Sequence, residues 1–263
     1  PDLLMQGGLR QFESHAGALT AQQRAAVDAW LPTLKSTGGN TDSAPMGITV
    51  AVVDVIPSGS RHGSLISFYA AGIGVMFLLF SMVGAAGNVL LDEAESGTLE
   101  RLLCTNLGMS GILAGKWAFL VLTGCAQLCV MFLWGRVAFG LPLFSHLPGF
   151  IVMTAATAAA AAALALVLAS IARSRAQLSG FSTILILTMS ALGGSMFPRF
   201  LMSETMQTFG LLTFNAWALD GYLKVFWRDA PLWQLWPQVA VLLTLTATFL
   251  AAARVFAQRW EAV

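Results

Sequence analysis

Residues 63–91 read GSLISFYAAGIGVMFLLFSMVGAAGNVLL, a stretch of 29 residues without one charged side chain. A helix needs about 20 mostly apolar residues to cross the ~30 Å hydrocarbon layer of a bilayer. The stretch is long enough to cross, and four more uncharged runs follow it. Together they place spans at about 65–90, 112–135, 149–172, 176–197 and 232–254. Composition agrees: 57% of the 263 residues are hydrophobic, 10% are charged, and the mean hydropathy is +0.74. Soluble domains carry about 25% charged residues. A chain of this size in water would have to expose far more polar side chains than 14 Lys/Arg and 13 Asp/Glu supply. A soluble enzyme and a disordered chain are excluded. A net charge of +1 leaves no electrostatic footprint for nucleic acid. The reading is an all-α polytopic membrane protein, with residues 63–263 as its transmembrane domain.

The rest of the sequence fits around those spans. Trp117 and Trp134 lie 17 residues apart, about 25 Å of helix, which suits two interface anchors on the second span. Trp227, Trp233 and Trp236 mark another boundary and Trp260 a third. The third span holds an alanine-rich run, 155–169. Small side chains let helices approach closely in lipid, so this span is expected inside the bundle. Residues 205–219 are also uncharged, but 15 residues broken by Gly210 and Asn215 suit a re-entrant element better than a crossing.

Residues 1–62 read instead as part of a soluble α+β segment. Thr20 and Gln23 form a capping box before an amphipathic helix, and 48–53 is a β-branched run.

No catalytic constellation stands out. His15, His62 and His146 are scattered. Gly111 to Lys116 hints at a phosphate loop, but three residues separate the glycines where four are needed, and Trp117 replaces the Ser/Thr that reaches Mg²⁺. Cys125 and Cys129 are expected as buried thiols packing as small apolar groups, and Cys104 stands apart. No span carries a central ionisable residue, the usual mark of ion-coupled transport.

What stands out is the loop after the first span, D92-E-A-E-S-G-T-L-E-R-L-L103, with four of the thirteen acids in nine residues. Thr98 is expected to cap a short helix, with Glu100 in its first turn favoured by the dipole. Leu99, Leu102 and Leu103 then share one face. A two-turn amphipathic helix does not hold itself together in water, so a partner surface is expected on that face.

Residues 91–116, LDEAESGTLERLLCTNLGMSGILAGK, resemble the signature of the type-2 permease family of ATP-binding-cassette exporters, an E-x-E-x-G-T-hydrophobic-E-R-L-L element followed by G-K at the next span. A second stretch is similar to the extracellular end of that family: Gly193, Gly194, Ser195, Met196, Phe197 and Pro198, then Trp217, Ala218, Leu219, Asp220 and Gly221. Asn106, Ser203 and Phe214 depart from prolines common in the family, which bears on local turn geometry and subfamily.

The resemblance implies a six-span subunit that pairs with a second permease, as homo- or heterodimer, and binds a cytoplasmic ATPase. ATP and Mg²⁺ would be held by that ATPase, and this chain would carry no cofactor. A coupling helix at about 98–105 would rest on the ATPase through Glu93, Glu95, Gly97, Thr98, Leu99, Glu100, Arg101, Leu102 and Leu103. Re-entrant helices at about 199–229 would follow an extracellular turn built on Gly193, Gly194, Pro198, Trp217 and Asp220. Members with a large extracellular domain place it between the first and second spans. On that pattern one span is missing upstream, residues 1–62 end the extracellular domain, and five of six spans are seen.

The expected location is the plasma (inner) membrane, with the C-terminus cytoplasmic and residue 1 outside. Charge favours this orientation by six basic residues against five, counting Arg101, Lys116, Arg173, Arg175, Arg254 and Arg259 inside. The function implied is the permease of an ATP-driven exporter, translocating a hydrophobic or amphipathic substrate by alternating access. The alternatives are a membrane-embedded enzyme, which would need a nucleophile–base pair or metal cluster, and a non-transporting scaffold. A neighbouring reading frame encoding a P-loop ATPase separates them.

Overall fold

Apolar residues without proline carry the first helix well past one membrane thickness. In a computed structural model, α1 (Arg61–Glu95) is 35 residues long, about 52 Å at 1.5 Å per residue. The structure describes residues 61–104, 108–139, 141, 143–196, 202–226, 228 and 230–260, with the backbone alone for 61–70. These all lie in the unit Ile56–Val263; the unit Pro1–Val55 lies outside them. The α+β segment expected before residue 61 is thus outside the described residues, as are Thr105, Asn106, Pro198 and Trp227.

After α1 come the short α2 (Thr98–Leu103), α3 (Met109–Phe139), α4 (Leu147–Ile171) and α5 (Arg175–Gly193). Then follow the short α6 (Glu204–Gly210), α7 (Phe214–Phe226) and α8 (Trp236–Ala257). The described residues contain no strand. Among the described residues, five helical segments are long and apolar enough to cross a membrane: Ala71–Glu95, Met109–Phe139, Phe144–Ile171, Arg175–Gly193 and Leu232–Trp260. Local chemistry sets several boundaries. Proline stands in the first turn of α4 and of α8, where its missing N–H costs nothing. The Ser174 hydroxyl accepts from the Gln177 N–H at 3.2 Å and starts α5.

Short connections make successive long helices antiparallel, which gathers the chain's polar features at two ends. One end holds α2, Arg175 and the C-terminal turn of α8; the other holds α6, α7 and the start of α4. Between them α4 is the centre, packed on α8, α1, α3 and α7. It is buried on nearly every side from Ala156 to Ser170. Its alanines permit this, since without bulky side chains the neighbours close directly onto its backbone. At the α7 end, Phe132, Phe150, Tyr222 and Phe226 tie α3, α4 and α7 together. The Phe132 ring lies 5.0–5.3 Å from the other three, contacts worth about 0.5–1.5 kcal/mol each beyond area burial.

The outward faces of the bundle are apolar. Leu122, Trp134 and Val137 on α3 are 72%, 67% and 74% exposed, tolerable only where the solvent is lipid. Over the described residues this is a multi-pass, all-α membrane protein.

Two expectations change. Trp117 is no interface anchor: α3 begins eight residues earlier, at Met109, and the indole N–H donates to the Ala159 carbonyl, midway along α4, at 3.0 Å. Cys125 is half-buried and Cys129 exposed, because the i, i+4 pair straddles the edge of α3 that faces outward.

Candidate functional site

At the α2 end, α1 finishes with Asp92, Glu93 and Glu95 in its last turn. Acids at a helix C-terminus oppose the dipole, so this turn needs cations from elsewhere. Two arrive. The Lys116 ammonium of α3 pairs with the Glu93 carboxylate and also donates to the Val89 carbonyl. The Arg175 guanidinium, from the first residue of α5, makes a two-pronged pair with the Asp92 carboxylate. The first pair is sheltered, with the Lys116 side chain 10% exposed and Glu93 32%. The second is open, at 50% and 45%.

The chain then turns at Gly97, whose φ of +70° is left-handed, a conformation that costs any other residue. The Gly97 N–H donates to the Ala94 carbonyl. Gly97, not Thr98, occupies the N-cap of α2, and no side chain caps it. The Thr98 hydroxyl instead donates back to the Glu93 carbonyl at 3.2 Å and sits 2.8 Å from the Ser96 hydroxyl. The left-handed turn leaves it nearer the end of α1 than the amides of its own helix.

The apolar face of α2 also finds its partner within the chain. Leu99 is 2% exposed, and Leu102 and Leu103 pack half-buried on the same core as α1. What α2 and its flanking turns present outward is polar: Glu95 and Ser96 before it, Thr98, Glu100 and Arg101 within it, and Cys104 after it are exposed. So the nine residues expected to act together divide. Glu93 and the three leucines face the bundle, Gly97 makes the turn, and Glu95, Thr98, Glu100 and Arg101 face away. Behind α2, the Arg254 Nε of α8 donates to the Ser110 hydroxyl at 2.8 Å. Arg259 donates to the Ile171 carbonyl at 3.2 Å and to that of Ala172, capping α4.

The α7 end is built by close approach instead. Gly194 ends α5 with φ +92°, letting the Ser195 and Met196 amides fold back onto the Ser190 carbonyl. A Cβ on Gly193 would meet the Asn215 Cβ at 2.6 Å and the Thr213 Oγ1 at 2.7 Å. Asn215, fully buried, donates to the hydroxyls of Ser190 at 2.9 Å and Ser195 at 3.2 Å. Gly72 lies against the Ser195 carbonyl, and Gly210 against that of Leu192.

The Trp217 indole donates to the Leu211 carbonyl at 2.7 Å, closing the α6–α7 turn. Asp220 faces elsewhere. It accepts from Gln238 of α8 at 2.6 Å, with Lys224 at 3.9 Å and Arg228 at 3.7 Å. Gly193, Gly194 and Trp217 thus belong to one construction, and Asp220 to the α7–α8 contact. Gly72, Ser190, Asn215, Lys116 and Arg175 carry much of both ends yet were not among the expected site residues. Lys116 was legible as the Lys of G-K, but nothing local marks Gly72 as a contact point.

The family described as ABC-2 family transporter protein matches residues 17–255. The linearmycin resistance permease protein LnrN of Bacillus subtilis (strain 168) is 23% identical over 183 residues, covering 70% of this chain and 47% of that protein. The inner membrane transport permease YhhJ of Escherichia coli (strain K12) is 25% identical over 189 residues, covering 68% and 50%. The chain therefore spans about half the length of the curated relatives it matches.

Proposed function

The chain belongs to the ABC-2 family of transporter proteins, and from that premise we propose that it is the membrane-spanning permease subunit of an ATP-driven exporter. It moves a hydrophobic or amphipathic molecule by alternating access, while a separate cytoplasmic ATPase binds ATP and Mg²⁺ and hydrolyses the nucleotide. The observation that carries this reading is α2: a short helix fixed to the bundle by its leucines, with Thr98, Glu100 and Arg101 turned outward. A helix held this way transmits a push, because its apolar face is already seated on α1.

The α2 end faces the cytoplasm in this reading, as do Arg173, Arg175, Arg254 and Arg259. A second permease subunit completes the transport path in the plasma membrane. One relative is named as a permease for resistance to linearmycin, and resistance is consistent with outward movement of a compound.

Two experiments test the reading. Co-expressed with a P-loop ATPase encoded in a neighbouring reading frame, the permease is expected to co-purify with it; lack of such a reading frame, or absence of its product from the purified complex, overturns the exporter assignment. In a background lacking Cys104, Cys125 and Cys129, Ser145→Cys is expected to react with an impermeant thiol reagent in intact cells, and Ser96→Cys to resist it. Both positions are exposed at opposite ends of the bundle, so the reverse pattern inverts the orientation.

A further inference from the structure

Asp92 and Glu93 are consecutive in a helix, so their side chains leave α1 about 100° apart and do not share a face. Each finds a cation on a different helix: Arg175 on α5 and Lys116 on α3. The point where α1 gives way to α2 is therefore tied in two directions at once. The two ties differ in kind. The Lys116 arm is sheltered and reinforced by the Val89 carbonyl, so salt screens it little. The Arg175 arm has about half of each side chain in solvent, and exposed pairs of this class are weak and screened.

We infer that Asp92 and Glu93 form a forked ionic anchor that sets the poise of α2, with Glu93–Lys116 as its fixed arm and Asp92–Arg175 as its releasable arm. Lys116 and Arg175 are then positioning residues of the coupling step. They act through α1 and need touch neither the ATPase nor the transported molecule. The fixed arm keeps α1 and α3 moving as one body. Release of the other arm lets α5 slide against α1, which meet closely where the Leu178 side chain packs on Gly87. The role in coupling rests on the exporter reading above; the fork itself does not.

The test uses the purified full-length chain in lipid nanodiscs and reads amide hydrogen exchange in α2. In the wild type, α2 exchange is expected to rise between about 0.01 M and about 1 M salt, as the Debye length falls from ~30 Å to ~3 Å. Arg175→Gln is expected to exchange roughly two- to five-fold faster at low salt, the shift that losing an exposed pair supports, and to respond little to salt. The swap Asp92→Arg with Arg175→Asp should restore both the slower exchange and the salt response, which a generic packing defect would not do.

Equal α2 exchange in wild type and Arg175→Gln at low salt, or failure of the swap to restore it, overturns the fork. In the complex with the ATPase, Arg175→Gln should raise ATP hydrolysis in the absence of transport by a similar factor without lowering ATPase yield. An unchanged rate overturns the coupling role. Because the exchange measurement needs no ATPase, a permease that captured none would refute the exporter reading while the fork was still judged.

Discussion

The two ends of the bundle hold their turns by opposite means. At the α2 end, charged side chains reach across the gaps between α1, α3 and α5. At the α7 end, α5, α6 and α7 approach closely where glycines remove the side chains, and the bonds across the turn are neutral ones from Asn215 and Trp217. Long side chains tolerate movement of an ångström or two between their helices. A glycine contact under 3 Å from a Cβ position tolerates none. The difference is one of compliance: the α2 end can absorb a small displacement between its helices, and the α7 end is the stiffer corner.

The sharpest way to break that comparison is to crowd the corner. Gly193→Leu puts a side chain where Asn215 and Thr213 already stand and should cost about 3 kcal/mol or more as an overpacked core position. The expected result is a large fall in thermal stability in detergent and loss of transport. Gly194→Ala, strained by the left-handed φ of 92°, should cost about 1 kcal/mol. If Gly193→Leu keeps wild-type stability, the corner is soft and the contrast fails.

Next in size is the seat of α2. Leu102→Asp with Leu103→Asp strips two half-buried leucines from the core and should destabilise the permease itself by about 2–3 kcal/mol. Both thermal stability and ATPase capture should fall; loss of capture with stability intact would mean the leucines serve the partner instead. Lys116→Met leaves Glu93 without its cation in a partly sheltered site and should cost about 2 kcal/mol, less than a fully buried pair because a third of Glu93 is in solvent. Adding Glu93→Gln should recover most of it. A double variant no better than the single one would show that the ion pair is not what Lys116 provides.

Much of this was legible beforehand, and the reasons differ from place to place. Uncharged length alone pointed to five helices long and apolar enough to cross a membrane, since lipid penalises any interruption. The alanine run marked α4 as central because small residues serve no purpose facing lipid. The α2 leucines were found by period, but their partner was misjudged. An amphipathic pattern says that a face is covered and not by what, and the turn at Gly97 folds this one onto α1. Thr98 failed as a cap for the same reason. The fork and the Gly72 contact were invisible, since each joins residues that only the helix packing brings together: 83 positions apart for Asp92 and Arg175.

The smallest expected effect on the fold falls on the residues proposed to meet the ATPase. Glu100 and Arg101 are exposed, and neither has an ion pair among the described residues. Substituting them removes no packing and leaves no buried charge, so Glu100→Gln with Arg101→Gln should change permease stability by no more than about 0.5 kcal/mol. Thermal unfolding of the permease alone should barely register the change. If the outward face of α2 is the ATPase contact, the same double variant should lower ATPase capture severalfold and make the remainder more sensitive to salt wash, since charge complementarity across an interface sets both. The two readouts together discriminate as neither does alone. Stability and capture falling in parallel would mean that α2 is seated through these residues. Unchanged stability with unchanged capture would move the ATPase contact off α2, and leave the α2 end as a latch between helices with nothing pressing on it.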